Sequence, residues 1–407
     1  MAEHIDTIIV GGGQAGLSTS YYLKQYGREH AILEQADHSA KVWRERWDSF
    51  TFITPNWMIQ LPGAEYQGDE PDSFMERDKI INYFEEYIKR FELPIRYGIQ
   101  VVSVESNGNG YLVKTNKSDF KAANVVIATG MYQHPKVPHL SKNISTEITQ
   151  FHSSEYRNPE ELPFGAVLVV GSAQSGCQIA EELHQSGRIV ILSVGNSGRF
   201  PRRYRGKEIT HWLDDLGFYD KTADKLPSPN AKFAGSVHGT GKAGGHTINL
   251  HQFAKDGVIL LGHIEDAQDY TIILAPDLKD NLAKADKFET ELINQIDEYI
   301  EKNGLDVPTE ELPVMRDGYE AEEILELNLL SAGITSVIWA TGYKFDFSLV
   351  KFPIFDEDGY PVQKRGVTQF SGLYFIGLPF LHTTKSGLLY GVGEDAAHVS
   401  SAIESLG

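Results

Sequence analysis

The 407-residue chain is predicted to be an α/β protein in which one strand–glycine-turn–helix–strand unit is nested inside another. Three observations predict this. The apolar run Asp6–Val10 leads into Gly11-Gly-Gly-Gln-Ala-Gly16, a helical stretch to Gly27 and a second apolar run, Ala31–Leu33. The same order recurs 171 − 11 = 160 residues later, at Ala166–Val170, Gly171-Ser-Ala-Gln-Ser-Gly176, a helix to about Gln185 and Ile189–Leu192. Each copy then closes on an apolar strand ending Ala-Thr-Gly, at Ala128-Thr129-Gly130 and at Ala340-Thr341-Gly342.

The first glycine turn follows a strand and opens a helix, the context in which G-x-G-x-x-G binds a dinucleotide. Gly11 permits the tight turn, Gly13 lets a pyrophosphate approach the backbone, and Gly16 allows close helix-on-strand packing. Gln14 and Ala15 continue the helix N-terminus, whose free N–H groups and positive dipole end suit phosphate. Glu34, 34 − 11 = 23 residues after Gly11, stands where an acid takes the ribose hydroxyls of an adenosine, with Gln35 next to it. An amphipathic helix over Asp78–Phe91 and a hairpin around Ser106–Gly110 follow.

In the second copy Ala173 replaces the middle glycine, between Gly171 and Gln174-Ser175-Gly176, and still leaves room for a dinucleotide. Its second strand runs into Ser193 without a carboxylate, and Arg199, Arg202, Arg203 and Arg205 lie just beyond. That pattern points to the 2′-phosphate of NADPH, with NADH accepted as well. From glycine turn to Ala-Thr-Gly is 128 − 11 = 117 residues in the first copy and 340 − 171 = 169 in the second. The excess is expected as an irregular insertion near residues 206–245, long enough for a role of its own. Paired strands near Val258–Gly262 and Tyr270–Leu274, a helix over Asn281–Asn303 and a final helix from about Ala396 complete the reading.

Lys+Arg is 37 and Asp+Glu 56, a net charge of −19, which argues against nucleic acid or an anionic membrane as partner. Hydrophobic residues at 41% suffice for a real core. The single cysteine, Cys177, excludes an internal disulfide, a dithiol redox centre and a Cys-rich metal site, and is read as a small buried residue. His238, His246, His251 and His263 lack metal-ligand spacing, so no metal is expected. With no basic, apolar leader and no long apolar run, the expected location is the cytoplasm.

Two nested dinucleotide turns, each closed by Ala-Thr-Gly, resemble the two-dinucleotide-binding flavoproteins. Within these the chain resembles the class B flavoprotein monooxygenases, the flavin-containing monooxygenases and their Baeyer–Villiger and N-hydroxylating relatives. Val42-Trp43-Arg44-Glu-Arg-Trp47, Ile338–Tyr343, Gly372–Gly377 and Gly391-Val-Gly-Glu-Asp395-Ala396 carry the likeness. It implies two Rossmann-like domains, with an NAD(P)H domain over 161–325 inserted into an FAD domain formed by 1–160 and 326–407. FAD is then expected on the first turn with Glu34, Gln35, Trp43, Arg44, Val101, Ala128–Gly130 and Asp395. NADPH is expected on the second turn with Ser193, Arg199, Arg202 and Ala340–Gly342. The implied activity passes one oxygen atom from a C4a-hydroperoxyflavin to a small sulfur, nitrogen or ketone substrate, with O2 and NADPH consumed.

The chain departs from that pattern in places. Thr146 and Ile148 stand where relatives carry Phe and Gly ahead of His152, and Gly195 stands where many carry a phosphate-binding arginine. The flavin-proximal asparagine of relatives is shifted by one residue to Asn56, the catalytic candidate. Two alternatives stay open: a flavin-dependent reductase without oxygenation, and a dinucleotide-binding redox sensor. A homodimer is left open as the assembly.

Overall fold

The computed structural model describes residues 2–233 and 237–406, so residues 234–236 of the expected insertion lie outside it. The first sheet contains β1 (Thr7–Val10), β2 (His30–Leu33), β3 (Ile95–Arg96) and β4 (Asn124–Ile127). The second contains β5 (Thr149–His152), β6 (Ala166–Val170), β7 (Val190–Ser193), β8 (Ile259–Leu261) and β9 (Ile334–Trp339). The chain then returns to the first sheet through β10 (Leu373–Phe375).

Both sheets have five strands, parallel throughout, in the orders β10-β4-β1-β2-β3 and β5-β9-β6-β7-β8. The two orders superimpose: β1 and β6 occupy the same central place and carry the glycine turns. Thr-Ile-Ile-Val in β1 and Ala-Val-Leu-Val-Val in β6 are buried at every position. Helices cover both faces of a parallel sheet, so its central strands read as continuous, mostly β-branched apolar runs rather than alternating ones. Helices α1 (Gln14–Gln25) and α3 (Gln174–Gln185) follow the turns. Between them, α2 (Arg77–Phe91) buries Ile80, Ile81, Phe84 and Tyr87 along one face, as its 3.6-residue periodicity requires.

Beside each parallel sheet lies an antiparallel one. Val101–Ser106, Tyr111–Thr115 and Phe120–Ala122 form a meander joined at its edge by Glu3–His4, confirming the hairpin at Ser106–Gly110. In the second unit Ile264–Gln268, Thr271–Leu274 and Glu326–Asn328 pair antiparallel. The partner of Thr271–Leu274 is therefore Ile264–Gln268, and β8 is instead the outer strand of the parallel sheet.

β5 and β9 both pair into the second sheet, which therefore draws on strands from residues 149 to 339. The insertion holds a two-strand ribbon, Arg203–Tyr204 with Lys207–Glu208, then α4 (Ile209–Asp215) and short 3-10 turns. Later come the long helix α5 (Leu278–Asn303) and the terminal α6 (Val392–Leu406), which begins four residues before Ala396.

Candidate active site

The two glycine turns are built alike. Gly11 has φ +110°, and a Cβ on it would lie 2.5 Å from the Ala128 carbonyl oxygen; one on Gly16 would lie 2.0 Å from the Gly11 oxygen. In the second turn Gly171 has φ +101°, and a Cβ on Gly176 would lie 1.8 Å from the Gly171 oxygen. Both turns thus press against the strand that ends in Ala-Thr-Gly, Ala128 in the first case and Ala340 in the second. Neither helix has a capping side chain, at Gly13 for α1 or at Ala173 for α3, so first-turn N–H groups remain free for an anion. A Cβ on Gly13 would meet nothing within 4 Å, whereas Gly11 and Gly16 are closed in by backbone. That open face beside uncapped N–H groups fits a pyrophosphate, and FAD suits the first cradle.

Glu34 ends β2 with its carboxylate fixed by two backbone donors, Gly12 N–H and Ala36 N–H, each 2.8 Å away. The rest of the cradle gathers residues far apart in sequence. Gln14 donates to the Gly387 oxygen at 2.6 Å, and Gln133 donates to Thr129 Oγ1 and the Gly130 oxygen, both at 2.9 Å. Asp395, in the first turn of α6, is buried, and one carboxylate oxygen has no partner among the described residues. Burial raises its carboxyl above the usual range, with Ser386 and Arg365 opposing. Gln35 is exposed beside Glu34, Trp43 packs edge-on to Phe52 at 4.8 Å, and Val101 is buried in the meander. Arg44 hydrogen-bonds the Ser39 oxygen and pairs with Glu85 on α2. Asn56 is buried; its amide donates to the Glu70 oxygen at 2.9 Å, while Oδ1 has no partner among the described residues.

At the second cradle the expected phosphate-binding arginines also make contacts within the chain. Arg199 is 6% exposed and paired with Asp286 at 2.8 Å and Glu289 at 2.6 Å, both on α5. Arg202 is buried against Glu208, with its guanidinium 4.3 Å from the Phe74 ring and one nitrogen donating to the Ile53 oxygen. Arg205 pairs with Asp297, and Arg203 donates to the Gly244 and Gly245 carbonyls. Buried cations are retained when paired, and these charges hold the insertion in place. At the end of β7, Ser193 donates to the Gly262 oxygen and Gly195 N–H to Ser172 Oγ, both at 3.0 Å. Ala173, Gln174 and Ser175 stay partly exposed along the turn. In the closing segment, Thr341 Oγ1 donates to the Lys136 oxygen, and the Gly342 oxygen faces His152 Nε2 at 3.0 Å.

Sequence reasoning missed what the insertion does. It straps the second unit to the first. His211 stacks on Trp57, next to Asn56, with ring centroids 4.7 Å apart, and its Nε2 lies 2.6 Å from Asp72. Tyr390 donates to Asp214 at 2.8 Å, Lys385 pairs with Asp220 at 2.9 Å, and Thr384 N–H donates to the Lys221 oxygen. On its other side the strap grips α3 through His246 with Glu181 and Lys242 with Gln185. No local pattern marks these pairs; His211 and Trp57 are 211 − 57 = 154 residues apart. Three of the four scattered histidines each face a carboxylate: His246, His251 with Asp286, and His263 with Asp277. His238 does not.

A family model described as pyridine nucleotide-disulphide oxidoreductase matches residues 8–213, half of the chain. The chain belongs to that family. An uncharacterized CzcO-like oxidoreductase of Geobacillus kaustophilus is 31% identical over 405 residues, 99% of each chain. A probable indole-3-pyruvate monooxygenase of Arabidopsis thaliana, YUCCA10, is 33% identical over 220 residues, 50% of this chain and 54% of that one. A flavin-containing monooxygenase from Stenotrophomonas maltophilia shares the fold over 99% of both chains, at TM-score 0.67 and 18% identity. So does OTEMO in complex with FAD and NADP, over 100% of this chain and 86% of that one, at TM-score 0.59 and 14% identity. A bacillithiol disulfide reductase from Staphylococcus aureus covers 99% of both chains at TM-score 0.63 and 14% identity. Within the pyridine nucleotide-disulphide oxidoreductase family, then, this chain has the fold of the flavin-containing monooxygenases. Among the described residues no helix is long and apolar enough to cross a membrane.

Proposed function

We propose that the chain takes FAD in the first cradle and NAD(P)H in the second. One oxygen atom of O2 passes to a small substrate with a sulfur or nitrogen nucleophile or a ketone, and the other leaves as water. The balance is NAD(P)H, a proton, O2 and substrate giving NAD(P)+, oxygenated substrate and water. The observation that carries this reading is the doubled cradle: two uncapped helix N-termini on parallel sheets of matching strand order, one followed by Glu34 and the other by no acid. When bound, the flavin accepts hydride and activates oxygen; the protein positions it and keeps water away. Gly13 and the first turn of α1 would bind its pyrophosphate, Glu34 its ribose, and Asp395 and Gln14 would border the ring end. Asn56, with an unpartnered buried Oδ1, is the side chain set nearest the chemistry in this reading.

Discrimination between NADPH and NADH is proposed to be small, because Arg199 and Arg202 already pair with carboxylates. A 2-oxo acid joins the sulfides, amines and ketones worth screening, since one relative is named for indole-3-pyruvate. A second reading, a reductase of a small acceptor, is favoured by the bacillithiol disulfide reductase fold; a dithiol cycle is closed to a chain with one cysteine. Stopped-flow mixing of the NADPH-reduced holoenzyme with oxygenated buffer separates them. Oxygenation requires a transient absorbance distinct from oxidised and reduced flavin, and substrate-coupled oxygen uptake. Direct return to oxidised flavin with stoichiometric peroxide, whatever substrate is added, leaves the reductase.

A further inference from the structure

His238 is delivered by the strap to the second glycine turn. Its N–H donates to the Gly198 oxygen at 2.8 Å, and the backbone there bridges Arg199. The ring is 1% exposed and rests against the Ser172 backbone, in the loop that leads into α3. Neither ring nitrogen makes a well-formed hydrogen bond among the described residues, and Arg199 Nε beside it is also buried without a partner. Burial, and then the Arg199 charge, hold the ring far below the ordinary histidine range, at about 4, so it is neutral. Buried polar groups are nearly always paired, and a buried histidine with no well-formed hydrogen bond and only a loose one to the Ser172 backbone is an exception that needs a reason. Here these groups adjoin the uncapped N-terminus of a helix twelve residues long.

We propose that His238, supplied by the insertion, hydrogen-bonds a phosphate oxygen of the nicotinamide dinucleotide bound at Gly171–Gly176, with Arg199 Nε beside it. This rests on the second cradle holding NAD(P)H. It would give the strap a place in cofactor recognition as well as in joining the two units: Gly239 next to it packs on Ile53 and Phe200, and Gly241 on Phe52 and Phe74. The phosphate could be the pyrophosphate, common to NAD+ and NADP+, or the 2′-phosphate of NADP+ alone.

The test is calorimetric titration of the FAD-loaded protein with NADP+ and with NAD+. His238→Leu keeps the volume and removes both nitrogens, so thermal stability without nicotinamide cofactor should be unchanged or higher. Binding should weaken at least tenfold, with flavin occupancy unaltered. Equal losses for both ligands assign the pyrophosphate; a loss for NADP+ alone assigns the 2′-phosphate. Dissociation constants within twofold of the parent for both ligands overturn the proposal. If the parent itself binds neither ligand, the functional reading fails with it. Should the leucine chain not fold, the parent protein answers: the His238 ring-nitrogen resonances must move when NADP+ is added, and unmoved resonances overturn the proposal equally.

Discussion

At the scale of single residues, Gly13 and Gly16 have opposite tolerances. A side chain on Gly16 would collide with backbone at 2.0 Å, whereas one on Gly13 would enter open space at ordinary extended dihedrals. Gly13→Val should therefore fold and remain colourless, because it fills the pyrophosphate's place, while Gly16→Ala should lose the fold itself; flavin absorbance against thermal unfolding separates the two. Retention of full flavin occupancy by the valine variant would remove FAD from this turn. Gly195 is also open, with nothing within 4 Å of a Cβ. Gly195→Arg should raise the NADPH/NADH ratio of kcat/KM roughly ten- to a hundredfold, the equivalent of ~1.5–3 kcal/mol for a charged hydrogen bond. Arg199→Ala should destabilise by about 3–5 kcal/mol, because it removes the buried cation that pairs with Asp286 and Glu289, and a melting temperature unchanged from the parent would show those pairs carry no stability.

At the scale of elements, the glycine turns were legible in the sequence because everything that defines them is local: a strand, six residues and a helix start. The same holds for α2, whose apolar positions repeat along one face. The strap was not legible. Just before it, Arg199 pairs with carboxylates 87 and 90 positions away on α5, and a run of arginines with distant partners reads from sequence as a run of free charges. α5 makes that pairing measurable. Against burial, which would raise it, hydrogen bonds from His251 and Tyr319 and the Arg199 charge hold the Asp286 carboxyl at about 2, below its ordinary 3.8. The folded state thus binds fewer protons than the unfolded one between those values. Its stabilisation is complete above the ordinary value and is lost as pH falls toward 2. Urea titrations stepped from pH 5 downward should show this loss, and Asp286→Asn should flatten the acid limb. An equally steep limb in the variant would show that other carboxylates set it.

At the scale of the whole molecule, two parallel sheets of matching strand order could behave as independent units, and the strap argues that they do not. His211, Asp214 and Asp220 reach into the first unit while His246 and Lys242 hold α3 of the second. Calorimetry of the FAD-loaded chain should give one unfolding transition, and removing the His211, Asp214 and Asp220 side chains together should split it or lower the first half. A parent that already unfolds in two steps would mean the contacts carry no coupling. The nested order could be read from two Ala-Thr-Gly closures, but the place of β5 in the second sheet could not, since it joins from outside the glycine-turn pattern.

Cys177 makes that coupling observable from within. Its thiol is fully buried in α3, donates to the Ser172 oxygen at 3.0 Å, and is pushed far above the usual range by burial and by Glu181. A folded chain offers no thiolate to an alkylating reagent. The chain therefore carries a single-thiol clock: each labelling event records α3 leaving its sheet. With no second thiol to confuse the signal, the labelling rate with and without NADP+ measures how often the nicotinamide unit opens.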